Sequence, residues 1–159
     1  MIDPCPPPAV FTHEQIVSLA ETICSWQAEI LKDGQGLSVK KDNLQGNVES
    51  VIRANFGVYF SQTPQQNHGF VDIFDQIARF ASHLANDHIF PDANKRTTVI
   101  SCLSLLYKHD IILDMKDTPN PLANTLYQWI QDVVEGKTPD SELAEELRSH
   151  AAPLNPETF

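Results

Sequence analysis

"HIFPDANKR", His88 to Arg96, packs a histidine, an aspartate, an asparagine, a lysine and an arginine into one short turn. The stretches on either side carry a helical apolar period. Upstream, Phe70, Phe74, Ile77, Ala78, Ala81, Leu84 and Ala85 form a stripe that predicts a helix over Phe70 to Asn86. Downstream, Val99, Ile100, Leu103, Leu106 and Tyr107 predict another, beginning near Asn94. Two long apolar helices joined by a polar turn set the fold class: an all-α bundle with this pair at its centre and the turn between them.

Outward from that pair the helical period continues. Thr12 and Gln15 have capping-box spacing, and Ile16, Leu19, Ala20, Ile23, Gln27, Ile30 and Leu31 predict a first helix from His13 to Leu31, stopped by Gly34. Gly34 to Asn47 reads as a loop with a short hairpin, and Val48 to Tyr59 as a second helix capped by Asn47, with Val51, Ile52, Asn55 and Phe56 on one side. Ser61 to Gly69 reads as a connection and "DIILDM" as an extended link. Thr118–Pro119 or Asn120–Pro121 opens a fifth helix, which carries Leu122, Leu126, Trp129, Ile130 and Val133 and ends at Gly136. Thr138–Pro139 opens a sixth that runs to about His150. Residues 1–11 form an extended proline-rich arm, read as mobile; 12–152 form the domain; 153–159 form a disordered tail.

The bulk numbers narrow the function. The 159 residues suit one core, and a formal charge of −10 disfavours binding to nucleic acid. No apolar run reaches the length of a membrane span, and the N-terminus lacks a signal-peptide pattern. Cys5, Cys24 and Cys102, an odd number without CxxC spacing, point to a reducing cytoplasm.

In this acidic chain Lys95 and Arg96 are a local basic island. Pro91 disfavours helix in the residue before it, so the following helix starts near Asn94 and its first amides lack intrahelical partners. These amides and the helix dipole make an anion site. Cations in a first turn oppose the dipole, which suits a bound phosphate better than stability. Asp92 is placed to hold a magnesium ion beside that phosphate, and His88 to take a proton from an incoming hydroxyl. Phe90, alternating with His88, turns into the core. Singly, each residue also suits a plainer role: a helix cap, a surface histidine, solvated cations.

The stretch resembles the signature of the Fic/Doc (Fido) family, H-x-F-x-[DE]-[GA]-N-[GK]-R, and the bundle from Thr12 to His150 is similar to that family's architecture. The resemblance implies ATP as co-substrate and magnesium as cofactor. It implies His88 as general base, Asp92 as metal ligand, Asn94, Lys95 and Arg96 as phosphate binders, and Phe90 as structural anchor. It also implies a flap at Gly34 to Asn47 that docks the target as an added strand. Adenylyl-transferring members usually have glycine at the position of Lys95 and a second arginine at that of Val99. Both departures resemble the Doc toxin branch, which implies transfer of the γ-phosphoryl group to a threonine of elongation factor Tu and control by an antitoxin. Adenylyl transfer is the alternative, and a catalytically inactive binding module a further one. Ser141 to Glu146, "SELAEE", resembles the family's inhibitory [ST]-x-x-x-E-[GN] helix except at Glu146. Arg53 either faces the nucleotide or lies on a solvated helix face. An HD-type metal phosphohydrolase would use His83, His88 and the His109–Asp110 pair, but nothing in that fold calls for "DANKR".

Overall fold

Ile73, Phe74, Ile77, Phe80 and Leu84 recur at helical spacing and are all fully buried, at about 1.5–3 kcal/mol each. They belong to the helix against which most of the others pack in a computed structural model of the chain. The structure describes Ile2 and residues 4–32, 44–86, 94–115 and 124–154, with the backbone alone at 31, 32 and 94. Among these residues the helices are α1 (His13–Lys32), α2 (Leu44–Phe56), α3 (Pro64–His68), α4 (Ile73–Asn86), α5 (Asn94–Lys108), α6 (Thr125–Val134) and α7 (Asp140–His150). Two short strands, β1 (Ile111–Leu113) and β2 (Ala151–Pro153), pair antiparallel with Ile112 opposite Ala152. The expected all-α bundle is the observed fold, with α4 and α5 as its central pair. α4 packs on α2, α5, α6 and α7, and α5 also packs on α1, α6 and β1.

Several helix ends follow from local chemistry. The Thr12 capping box forms: the Thr12 amide donates to Gln15 Oε1 at 2.8 Å, and the Gln15 amide to Thr12 Oγ1 at 3.2 Å. Asp72 Oδ1 accepts from the amides of Phe74 and Asp75 at 3.0 and 3.1 Å, so α4 starts at Ile73 rather than at Phe70. Gly136, at φ 76°, follows the end of α6 in the left-handed region that glycine adopts readily.

Other expectations need correction. α2 begins at Leu44 and ends at Phe56, so Asn47 lies inside it and Val58 and Tyr59 outside. The Ser61 to Gly69 connection contains α3, capped by a second capping box of Thr63 and Gln66 with Pro64 at its start. α6 starts at Thr125, where Asn124 Oδ1 accepts from the Tyr127 amide at 2.9 Å; the Thr118–Pro119 and Asn120–Pro121 steps lie outside the described residues. The extended link is a true strand, β1, and Pro153 lies in its partner instead of ending the order.

The N-terminal arm is extended but held in place. Ile2 is buried, Phe11 stacks on Phe56 with ring centroids 4.6 Å apart, and the Ile73 amide donates to the Pro6 carbonyl at 2.9 Å. Gln76 brackets Ala9, accepting from its amide at 2.7 Å and donating to its carbonyl at 2.8 Å. An arm so bonded is part of the fold.

Candidate functional site

The site begins where α5 does. The first amides of α5 have no intrahelical acceptor, and the helix dipole puts positive potential there. Lys95 and Arg96, in this first turn, are half-buried, and among the described residues neither forms an ion pair. A half-buried pair of cations at a helix N-terminus suits a polyanion such as a triphosphate.

The residues that follow Arg96 are buried and unexpectedly polar. Thr97, Thr98 and Ser101 have no exposed surface. Thr97 Oγ1 donates to Gln27 Oε1 of α1 at 2.5 Å, and Ser101 Oγ donates to the Thr97 carbonyl at 2.8 Å. The expected apolar stripe is therefore rotated: Ile100 and Tyr107 are exposed, while Val99, Cys102, Leu105 and Leu106 join these polar residues inside. The polar side chains carry their own hydrogen bonds, which lets a face unlike a core by composition be buried. Val99, turned inward at 6% exposure, offers no charge one turn beyond Arg96.

The helix leading into the signature is tied down by a second polar seam. Asn55 of α2 is fully buried; its Nδ2 donates to the Val51 carbonyl at 2.8 Å and lies 3.1 Å from His83 Nδ1. Arg79 Nη1 donates to Asn55 Oδ1 at 2.5 Å, and Gln76 Nε2 to the Asn55 carbonyl at 2.8 Å. Across the bundle, α6 ends at Glu135. Hydrogen bonds from Lys137 and Gln131 hold its carboxyl below the ordinary value, with a small contribution from the charge of Lys95. Lys95 is thus within electrostatic reach of the end of α6.

His88, Phe90 and Asp92 lie outside the described residues, as do residues 34–43 of the expected flap; Asn94 opens α5, with its side chain likewise outside. Lys95 and Arg96 share the turn the sequence assigned them. The signature holds a single carboxylate, a donor set that fits a metal completed by phosphate and water better than an all-protein metal cage. Arg53 is half-buried, with Nη2 3.1 Å from His13 Nδ1. It borders a cavity of about 340 Å³ with Ser50, Tyr59 and His68. Ser141 to Glu146 forms the first half of α7, with Leu143 and Ala144 buried and Glu145 bonded to Arg148. Burial pushes the Cys102 thiol up to about 12, leaving it an inert core residue. No described helix is long and apolar enough to cross a membrane.

Sequence reasoning missed the roles of Gln27, Asn55, Gln76 and Thr97. Gln27 and Asn55 stood in plain view as polar letters within apolar stripes. Such a residue signals a buried hydrogen bond, though not its partner.

A search of curated proteins finds none that matches this chain. The sequence model described as the Fic/DOC family matches residues 17–106, from α1 through the signature and along most of α5. That span is more than half of the chain, and it implies a Fido-domain transferase that acts on protein hydroxyls and uses a nucleotide substrate. With the signature, the central helix pair and this match in agreement, the chain belongs to the Fic/DOC family.

Proposed function

We propose that the protein moves the γ-phosphoryl group of ATP onto a protein hydroxyl, as the Doc branch does, with a threonine of elongation factor Tu as target. The observation that carries this reading is the first turn of α5. Lys95 stands where adenylyl-transferring relatives usually have glycine, and the position of their second arginine is the inward-turned Val99. A lysine side chain fills space that inner phosphates would need and offers charge to the nearest phosphate. Without a second arginine there is no grip on an outer phosphate further along the helix. Both features favour the γ-phosphorus as the reacting centre.

In this reading His88 takes the proton of the target hydroxyl as its oxygen attacks the γ-phosphorus. The bond between that phosphorus and the β–γ bridging oxygen breaks, ADP leaves, and His88 passes its proton to solvent. Asn94, Lys95, Arg96 and the first amides of α5 orient the triphosphate and hold its charge. Asp92 would hold magnesium, which when bound neutralises charge on the phosphates. The proposed setting is a cytoplasmic toxin controlled by an antitoxin; the three free cysteines accord with a reducing compartment.

The test is parallel labelling of elongation factor Tu with ATP labelled at the α or the γ position. The expected result is label from the γ position alone, a mass gain of one phosphoryl group, and ADP as the other product. Label from the α position with release of pyrophosphate would replace this reading with adenylyl transfer. ATP binding without labelling of any protein would favour an inactive binding module.

A further inference from the structure

We infer that the buried Gln27–Thr97 hydrogen bond between α1 and α5 positions the first turn of α5 for nucleotide binding, making both of them positioning residues. The inference rests on the nucleotide-binding role proposed above for that turn. Three observations carry it. Thr97 directly follows Arg96 at the N-terminal end of α5, beside the amides proposed above to meet the phosphates. Both partners are sealed from water, Gln27 at 2% exposure and Thr97 at 0%, so their bond does not exchange with solvent. The bond also runs from α1, an element outside the signature, and α1 and α5 pack directly against each other.

Packing alone does not call for a hydroxyl there. Valine has the shape of threonine, has no donor to satisfy, and would fill the same space among core side chains. What the hydroxyl adds is direction. A side chain that must meet one oxygen on a neighbouring helix fixes the rotation of α5 about its axis. A rotation of about 20° would carry a group some 6 Å from that axis through about 2 Å, enough to take Arg96 and the first amides of α5 off a phosphate. Ser101 is the internal contrast. It is equally buried and one turn further on, yet its Oγ bonds to the Thr97 carbonyl of its own helix and so ties α5 to nothing else.

The test measures the affinity of the full chain for ATP and for inorganic tripolyphosphate by calorimetry, beside the melting temperature, in Thr97→Val, Thr97→Ser, Gln27→Met, the Thr97→Val/Gln27→Met double variant and Ser101→Ala. Positioning predicts that Thr97→Val and Gln27→Met each weaken both ligands about tenfold or more. The double variant should be no weaker than either single one, and Thr97→Ser should restore binding. Ser101→Ala should lower the melting temperature with affinity intact. If Thr97→Val does not fold, Gln27→Met reads the same bond from its other end. Thr97→Val with unchanged affinity and lowered stability would reduce the pair to a core bond, and an equal loss of affinity in Ser101→Ala would overturn the inference as well. Wild-type protein that binds neither ligand would remove the proposed function and this inference with it, whereas normal wild-type binding matched by Thr97→Val would remove the inference alone.

Discussion

Two helix ends in this molecule carry cations, in opposite senses. At the end of α7, Arg148 sits where a helix dipole favours positive charge and meets Asp72 at the start of α4, where negative charge is favoured. Nε and Nη2 of Arg148 donate to the two oxygens of Asp72 at 2.8 and 3.0 Å, Nη2 also reaches Asp75 at 3.0 Å, and the guanidinium lies 5.9 Å from the Phe74 ring centroid. At the start of α5, Lys95 and Arg96 sit against the dipole, and no described residue forms an ion pair with them. The first arrangement is what stability alone selects. The second opposes the dipole and is not what stability alone selects, which is the contrast expected if the α5 end is the proposed phosphate site.

The largest effect expected is at His88, the proposed general base. His88→Ala should slow transfer to elongation factor Tu at least about a hundredfold with the melting temperature unchanged, since a base contributes to rate and not to packing. Labelling time courses beside thermal melts check this, and labelling at the wild-type rate would remove His88 from the mechanism.

The clamp should behave in the reverse way. Arg148→Leu leaves Asp72, whose side chain is 6% exposed, as an unpaired carboxylate, and should cost about 2–3 kcal/mol in denaturant unfolding after allowance for partial solvation. ATP affinity should not change. Burial alone would raise the Asp72 carboxyl, but the hydrogen bonds and charge of Arg148, with the Asp75 and Phe74 amides, bring it below its ordinary value. The clamp's stability is therefore fully present above the unfolded carboxylate value of about 3.9, and is lost as pH falls through the lower folded value. Asp72→Asn retains a cap acceptor and should flatten that acid limb; an unchanged acid profile would show that the clamp does not govern it.

How much of this could be read beforehand depended on distance along the chain. The Thr12–Gln15 capping box and the α4 stripe are local patterns and appeared as expected. The Thr63–Gln66 box is equally local, but α3 is too short to show an apolar period, so no second signal marks it as a helix. β2 is Ala-Ala-Pro, without β-forming side chains, and exists because β1 lies beside it. The arm is held by Gln76, 67 residues away from Ala9, a pairing no local rule supplies. The α5 face was misassigned because Thr97, Thr98 and Ser101 look like surface residues until Gln27 is brought to them. Around the candidate site, the two helices flanking the signature were legible from their apolar period, whereas the buried hydrogen bonds that tie them to α1 and α2 were not.

The smallest expected effect is also the most particular to the contrast. Lys95→Ala removes a cation that opposes the α5 dipole, so stability should stay level or rise by up to about 0.5 kcal/mol. Chemical denaturation measures it, and a loss above about 1 kcal/mol would mean that Lys95 supports the fold.

The most direct measurement crosses the two helix ends. Arg96→Gln and Arg148→Gln are compared for ATP affinity by calorimetry and for melting temperature. Arg96→Gln should lose about tenfold or more in ATP affinity, as expected for a charge-assisted phosphate contact, and melt with the wild type. Arg148→Gln should melt lower and bind ATP as the wild type does. Arg96→Gln that melts lower while binding ATP normally would contradict the proposed phosphate site, because Arg96 would then be one more structural cation.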